Sequence, residues 1–272
     1  MKKFLVSIFF LAAVCTIPAK SYAWGAKGHA IVAEIAWRFL DDSTKQKVQS
    51  YLGNLTIQEA ANWMDDSKSN SFFDYMRTWH YVNIDKGQSY KPSTERNSVT
   101  IIYSALTELK GMDKMKKKDI RRDLLLLFHL VGDMHQPLHN GFANDRGGNS
   151  INVSSQNFSA NLHSAWDTQI LETEGVSTAR CLKLFEVWDK EKIALASRIN
   201  VMGWMTQSRA HLDFAYNFKN GVLDRPYIDS SVSVIENQLL LGGIRLAAIL
   251  REVFNPAKQI VSLELGDNAK KD

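Results

Sequence analysis

The sequence predicts a mainly α-helical protein, folded as one compact multi-helix domain with a short β-hairpin. Apolar residues recur at helical spacing along most of the chain, and strand-like residues are confined to one short region. A capping sequence precedes one of the helical stretches. The chain has 272 residues, of which 45% are hydrophobic, and this is enough for a sizeable core.

The first 23 residues have the three-part pattern of a secretory signal peptide. Lys2 and Lys3 precede the apolar stretch FLVSIFFLAAV, and the small-residue site Ser21–Ala23 follows. We therefore expect a secreted or periplasmic protein that starts at Trp24, and the short leader is typical of a bacterial envelope protein. As an alternative, Cys15 would be a lipoprotein cysteine, but the valine before it fits a lipobox poorly.

Residues 24–272 are expected to form one domain that ends in a frayed polar tail, LGDNAKKD. We expect no stretch of this part to be apolar enough to span a bilayer, and no stable membrane association or obligate protein partner. Without the leader the chain has 30 basic and 29 acidic residues, which is no footprint of a nucleic-acid-binding surface. Any affinity for polyanions must come from a local site. Cys181 then remains alone, so no internal disulfide can form.

The elements follow in order along the chain. The predicted helices are residues 28–40, a helix that begins at the capping box TIQE (56–59), residues 98–110, 119–136, 163–172 and 233–254, the last despite Gly242 and Gly243; the strand signal is NSINVSS (149–155), after the loop NDRGGN.

The stretch HLVGDMHQPLH (129–139) carries the densest titratable chemistry. His129 and Asp133 are four residues apart and project from one helix face, as two ligands of a shared metal site would. Pro137 should end or kink the helix, because it has no N–H for the carbonyl of Asp133, and this directs His139 to a different centre. His135 lies off the face and is a candidate for a supporting or structural histidine.

A lone histidine in a helix is more often a core or surface residue than a ligand, but here several similar patterns occur together. HSAWD places His163 and Asp167 four residues apart on one helix face. His80 lies 15 residues after Asp65, and His29 lies five residues after Trp24. Each pattern is weak alone, and together they predict a metal site.

Trp24, His29, Asp65, His80, HLVGDMHQPLH, DRGGN and HSAWD, in this order, resemble the superfamily of zinc-dependent phospholipases C and single-strand nucleases. Within it, they most resemble the fungal and plant nucleases of the S1 and P1 type, which are endonucleases with 3′-nucleotidase activity. The resemblance spans residues 24 to about 172. The C-terminal third contributes further helices, outside the resemblance.

The resemblance implies a catalytic domain with a cleft that holds three zinc ions. The implied ligands are Asp65, His80, His129 and Asp133 for the first ion; Trp24 (amine and carbonyl), His29 and Asp133 for the second; and His139, His163 and Asp167 for the third. Three divalent ions would outweigh three aspartates and attract a phosphodiester. The implied reaction is metal-assisted hydrolysis of single-stranded RNA, DNA or 3′-nucleotides to 5′-phosphate products, with Asp65 orienting the attacking water.

Three further residues are implied to contact the substrate, and two of them depart from the family pattern. Lys68 stands where the relatives have an arginine that faces the phosphate, so a bidentate fork is replaced by a point charge. Tyr81 matches the aromatic platform for a base, although core packing would also explain it. Asn83 replaces an aspartate that contacts the base edge, so the resemblance does not predict a base preference.

Two other functions remain open from the sequence. A phospholipase C would use the same metal framework, but the related phospholipases have glutamate at the position of Asp167. A non-catalytic zinc-buffering envelope protein is less compatible with the third site, because a structural zinc usually has four protein ligands and this site offers three.

Overall fold

The computed structural model describes residues 24–92 and 94–255. The predicted signal peptide, the alternative lipoprotein Cys15 and the predicted frayed tail lie outside these residues. The α-helices are α1 (Ala26–Arg38), α2 (Asp42–Leu52), α3 (Ile57–Asp66), α4 (Ser98–Lys110), α5 (Lys117–Met134), α6 (Leu162–Ser164), α7 (Ile170–Thr173), α8 (Thr178–Phe185), α9 (Lys190–Ala196), α10 (Val201–Arg209), α11 (Leu212–Ala215) and α12 (Arg225–Phe254).

Shorter elements connect these helices. Segments of 3-10 helix span Ser67–Ser69, Ser71–His80, Met112–Lys114 and Pro137–Asn140; a π-helical turn spans Ala165–Gln169; and β1 (Asn152–Ser154) pairs antiparallel with β2 (Ser159–Asn161). The mainly helical class and the short hairpin are thus confirmed. The strand is shorter than predicted, because residues 149–150 belong to the preceding turn and residue 151 connects this turn to the strand.

Local capping signals fix the starts of α3 and α4. The predicted capping box is present at Thr56 and Glu59, whose side chains each bond the other's backbone N–H at 3.1 and 2.8 Å. Asn97 caps α4 through the N–H of Thr100, and this helix has the predicted bounds. Helix α1 begins two residues earlier than predicted, and α5 both begins and ends two residues earlier.

Helix α12 packs closely against α1, because two glycines of α12 lie at the contact. A Cβ on Gly243 would stand 2.3 Å from Cγ2 of Ile35, and one on Gly242 would stand 3.3 Å from Cγ2 of Val32. The glycines therefore lower the helix propensity of α12 but allow the two backbones to approach. The helix begins eight residues before the predicted start, at a cap formed by Asp224 and the N–H of Tyr227 (2.9 Å).

By length and composition, α12 is apolar enough to cross a membrane. The prediction that no stretch of the mature chain reaches this threshold was therefore wrong. In the structure, 78% of its apolar window is buried inside the protein. The apolarity of α12 is thus explained by its place in the core between α1, α5 and α8.

Helix α5 runs through the core and positions the candidate site. Every residue from Leu124 to Met134 is buried, including His129 and Asp133. The helix ends at Met134, and Pro137 begins a 3-10 turn that carries His139, as the missing proline N–H predicts. One buried helix thus supplies titratable side chains at its C-terminal end, where α1, α3 and residues 71–80 pack against it.

Candidate metal centre

Eight of the predicted ligand side chains meet in the interior of the described part of the chain, and all are at most 6% exposed. They come from elements distant in sequence: α1, α3, α5, two 3-10 turns and the helix after the hairpin. Three groups have ligand atoms close enough to share a cation: His29, His129 and Asp133; Asp65, His80 and His129; and His139, His163 and Asp167.

His129 is shared by the first two groups, and Asp133 of the first group also faces His80 of the second. The Oδ2 atom of Asp133 lies 3.0 Å from Nδ1 of His80 and 3.3 Å from Nε2 of His129. Its Oδ1 atom lies 3.3 Å from Nε2 of His29. The two oxygens thus face different histidines, as in a carboxylate that bridges two cations. The rings of His29 and His129 stack with centroids 3.8 Å apart, which keeps both imidazoles beside this carboxylate.

The third group lies around Asp167. Its Oδ2 atom is 3.2 Å from Nε2 of His163, and its Oδ1 atom is 3.8 Å from Nε2 of His139. The predicted i, i+4 relation of His163 and Asp167 is therefore present, although the helix that carries them contains the π-helical turn Ala165–Gln169. As predicted, His139 lies in this group rather than with the His129 pair.

Backbone carbonyls orient three of the imidazoles. Nδ1 of His129 bonds the carbonyl of Ala61 (2.7 Å), Nδ1 of His139 bonds that of His80 (2.8 Å), and Nδ1 of His163 bonds that of Gly147 (2.6 Å). A carbonyl only accepts, so each Nδ1 carries the hydrogen and each Nε2 presents a lone pair to its group. Metal-binding histidines are held in the same way.

The imidazole lone pairs and the carboxylate oxygens in these groups therefore lie close together, and too few N–H donors are present to bond them all. Nε2 of His139 and Nε2 of His163 lie 3.2 Å apart, and Nε2 of His129 lies 3.0 Å from Nδ1 of His80. Buried polar atoms without a hydrogen-bond partner among the described residues include both ring nitrogens of His29, Oδ2 of Asp65, Oδ1 of Asp133 and Oδ2 of Asp167. Buried polar groups normally have partners, and a shared cation would supply them here. Imidazole and carboxylate are ligands that suit Zn²⁺, so the residues fit the metal.

The electrostatics of the protein without metal point the same way. Burial raises the pKa of Asp133, but His129 and His139 outweigh this effect and hold it well below its usual range. Burial also raises the pKa of Asp167, and His163 and His139 lower it to about 2. Both carboxylates thus stay ionised. Burial lowers the pKa of His80 to about 4, so this imidazole stays neutral at neutral pH and is able to ligate.

The S1/P1 nuclease family model matches residues 24–255, which is most of the chain. The chain belongs to the S1/P1 nuclease family. It is 27% identical over 283 residues to endonuclease 2 of Arabidopsis thaliana, an alignment that covers 92% of this chain and 96% of the relative. It is 26% identical to nuclease S1 of Aspergillus oryzae (88% and 94% covered) and to nuclease P1 of Penicillium citrinum (85% and 97%).

Family membership confirms the predicted function: the protein is an enzyme, a metal-dependent single-strand nuclease. The bacterial origin inferred from the leader is not confirmed, since these relatives come from a plant and from fungi. The match also extends through the C-terminal third, which the sequence resemblance did not align.

The three residues predicted to contact substrate line or border the cleft of this S1/P1 nuclease. The cleft encloses about 300 Å³ and is lined by Lys68, Arg77, His80, Tyr81, Asn83, Leu138, His139, Arg146, Asn149 and His163. Tyr81 is 37% exposed, so core packing does not explain it. Lys68 points Nζ at Oδ1 of Asp65, at 2.5 Å. Tyr81 and Asn83 also line a second pocket next to the cleft.

Sequence reasoning missed several residues that support the site in this nuclease. Gln136 is fully buried and donates from Nε2 to Oδ1 of Asp167. A Cβ on Gly132 would lie 2.9 Å from Nδ1 of His29, so this position must stay small. Of the two roles predicted for His135, the structural one applies. Its Nδ1 bonds the carbonyl of Val131 (2.6 Å), and its Nε2 contacts Arg245 of α12 (2.6 Å). Of these residues, only Gly132 could have been found from the sequence, because a glycine beside the predicted ligand Asp133 indicates that there is no space for a side chain.

Proposed function

We propose that the protein is a zinc-dependent endonuclease that hydrolyses single-stranded RNA and DNA to 5′-phosphate products and also acts as a 3′-nucleotidase. The observation that carries this proposal is the convergence of three buried groups of imidazoles and carboxylates beside one open cleft. The group of His139, His163 and Asp167 has three members, and a catalytic zinc site characteristically has three protein ligands and one open position.

We assign one zinc ion to each group. Asp65, His80, His129 and Oδ2 of Asp133 would hold the first ion, and His29 with Oδ1 of Asp133 the second. His139, His163 and Asp167 would hold the third. When bound, the zinc ions would supply Lewis acidity to the phosphate and lower the pKa of water towards roughly 7.

The free amine and the carbonyl of Trp24 complete the second set in this proposal. Trp24 is fully buried. A Cβ on Gly28 would lie only 2.9 Å from the Cβ of Trp24, so Trp24 packs closely against α1. The next residue, Gly25, donates its N–H to the carbonyl of Asp167 (2.9 Å). These contacts hold the start of the domain close to a predicted ligand. The amine becomes available only after cleavage before Trp24, and residues 1–23 lie outside the described part of the chain.

Asp65 and Lys68 are the proposed catalytic residues of the chain itself. Oδ2 of Asp65 is buried and has no hydrogen-bond partner among the described residues, so it is able to accept a hydrogen from the attacking water. Lys68 lies three residues later on the following 3-10 turn, with its ammonium 2.5 Å from Oδ1 of Asp65. Burial raises the pKa of Asp65, but His129 and Lys68 outweigh this effect and lower it. The same ammonium lines the cleft and adds positive charge where a phosphate would bind.

Tyr81 and Asn83 are the proposed contacts to the base. Tyr81 presents an exposed ring directly after the ligand His80, and a base must be unpaired to stack on it. The amide of Asn83 offers both a donor and an acceptor, whereas a carboxylate would only accept. We therefore expect little discrimination between bases.

The alternative functions are less compatible with these observations. The matching family and the similar relatives are nucleases rather than phospholipases, and a zinc buffer has no use for an open cleft lined by cations. We further propose that residues 24–272 act as one catalytic domain, exported after removal of residues 1–23, without stable membrane association or an obligate protein partner.

One assay tests the proposal. The purified mature protein is stripped of metal and then incubated with a single-stranded oligonucleotide, its duplex, a 3′-mononucleotide and phosphatidylcholine, each with and without added zinc. We expect zinc-dependent cleavage of the single strand and 5′-phosphate ends on the products. Zinc-dependent release of phosphocholine without nucleic-acid cleavage would support the phospholipase instead, and no hydrolysis of any substrate would support the zinc buffer.

A further inference from the structure

The loop DRGGN (residues 145–149) forms one side of the cleft next to the third ligand group. The carbonyl of Gly147 accepts the hydrogen bond from Nδ1 of His163 at 2.6 Å. Oδ1 of Asp145 accepts bonds from the N–H of Gly148 (2.8 Å) and the hydroxyl of Tyr216 (3.0 Å). The contacts that orient the imidazole thus also fix this loop, so its side chains have a defined position relative to the ligands.

Arg146 is the loop residue whose backbone conformation is unexpected. Its φ angle is +59°, in the left-handed region, and Gly147 and Gly148 follow with φ of +64° and +81°. Glycine adopts this conformation without cost, whereas a residue with a Cβ is strained there by roughly 1 to 3 kcal/mol. The tight turn would form more easily with a third glycine. The arginine side chain therefore calls for a role that the turn itself does not explain.

Among the described residues, Arg146 is also the cation of the cleft that has no anionic partner. Lys68 faces Asp65 at 2.5 Å. Arg77 faces Asp74 at 2.8 Å and bonds the carbonyl of Lys68 at 3.2 Å. The exposed guanidinium of Arg146 lines the same cleft, and no carboxylate of residues 24–92 or 94–255 forms an ion pair with it. It is therefore free to bind an anion that enters the cleft.

We propose that Arg146 binds the non-bridging oxygens of the substrate phosphodiester from the side of the cleft formed by His139 and His163. A guanidinium offers a planar fork of N–H donors that matches two phosphate oxygens, which an ammonium cannot do. Arg146 would thus supply the fork that is missing at Lys68. This inference rests on the proposed function, because it places a phosphodiester in the cleft.

The test compares Arg146→Gly and Arg146→Lys with Arg198→Ala, which removes an exposed arginine outside the cleft lining. Because glycine favours φ of +59°, Arg146→Gly should melt at the same or a higher temperature than the wild type and keep its zinc content. Its Kd for a phosphorothioate-linked single-stranded oligonucleotide should rise roughly 10-fold or more, and kcat/KM should fall by a similar factor. The slope of log Kd against log salt should decrease by roughly 0.7, the value for one phosphate contact to a single strand.

Arg146→Lys should keep the salt slope and recover only part of the affinity, and Arg198→Ala should match the wild type. Wild-type affinity and wild-type kcat/KM in Arg146→Gly would overturn this inference. Loss of zinc or of thermal stability in Arg146→Gly would overturn it as well, since the residue would then act on the loop. A wild-type protein that cleaves no phosphodiester would instead overturn the proposed function.

Discussion

The Nε2 atoms of His139 and His163 lie 3.2 Å apart, although neither has a hydrogen to give the other. Each ring donates its Nδ1–H to a backbone carbonyl, that of His80 or that of Gly147. Asp167, the third member of the group, is an acceptor as well. Such an arrangement is stable with a cation at its centre, and without metal it has to take up a proton.

The pH dependence of the metal-free protein follows from this proton. Burial lowers the pKa of His139, but Asp133 and Asp167 outweigh it and raise the pKa from 6.5 to about 9. Its contribution to stability is fully present below pH 6.5 and is lost as the pH rises towards 9. The pKa of His129 is also raised, so its contribution to stability changes with pH in the same direction. The lowered pKa values of His29 and His80 act in the opposite direction, an effect that is nearly complete about one pH unit above 6.5.

With a strong chelator present, the melting temperature should therefore fall between pH 6.5 and 8.5 by at least about 2 °C. Thermal melts across this range measure it. The zinc-loaded protein should not show this fall, because deprotonated imidazoles bind zinc better. A chelated His139→Asn variant should have a flatter profile. If the chelated wild type became more stable with rising pH, the pKa of His139 would not be raised and the account of this group would be wrong.

A methyl group at Gly132 should disturb His29 without harming the helix. In Gly132→Ala the new Cβ would stand 2.9 Å from Nδ1 of His29, closer than such atoms approach. Alanine itself favours a helix over glycine by about 1 kcal/mol. We expect weaker binding of one zinc ion, lower nuclease activity and retained helical circular dichroism. Gly111→Ala is the control, since its Cβ would meet no atom closer than 3.5 Å. Wild-type zinc content in Gly132→Ala would show that His29 is not a ligand.

Removal of the Tyr81 ring should reduce the preference for single strands. Stacking of one base is worth roughly 1 to 3 kcal/mol, so Tyr81→Ala should lose roughly 5- to 150-fold in kcat/KM on a single strand. Cleavage of a duplex should change less, because paired bases do not reach the ring. Tyr103→Ala is the matched control, since Tyr103 is a tyrosine with 42% exposure on α4, outside the cleft. An unchanged rate for Tyr81→Ala would exclude the base platform.

The start of the mature chain should be part of the site. An α-amine has a pKa of roughly 7.7 to 8.0 and binds zinc when deprotonated, whereas an amide nitrogen has almost no basicity. A protein with one glycine added before Trp24 should therefore bind less zinc and cleave single strands poorly, although it folds. The authentic mature form is the reference. Equal zinc content and equal activity in the two forms would mean that the terminus is not a ligand.

The sequence predicted those parts of the site that depend on local geometry. The pairs His129–Asp133 and His163–Asp167 follow from helical periodicity, and the end of α5 follows from Pro137. These relations need no knowledge of the rest of the fold.

The other parts depend on packing between distant segments. Arg245 meets His135 from 110 residues away, and Gln136 reaches Asp167 across 31 residues. The positive φ angles of Gly147 and Gly148 make the DRGGN loop a tight turn. The sequence could not predict that Arg146 lines the cleft, because this depends on where His163 lies in the fold. It also could not predict the close contact of α12 with α1 through Gly242 and Gly243, because this depends on how the two helices pack.

Asp133 is the residue on which the account depends most, because its two oxygens face separate histidine groups. The most direct test is the zinc content per chain of the mature wild type and of Asp133→Asn, measured with single-strand cleavage on the same samples. Asp119→Asn, a change on the outer turn of the same helix, is the control. We predict three zinc ions in the wild type and the control, one for each ligand group, and in Asp133→Asn the loss of at least one ion and of nearly all hydrolysis. An Asp133→Asn protein that keeps three zinc ions and most of its activity would contradict the account.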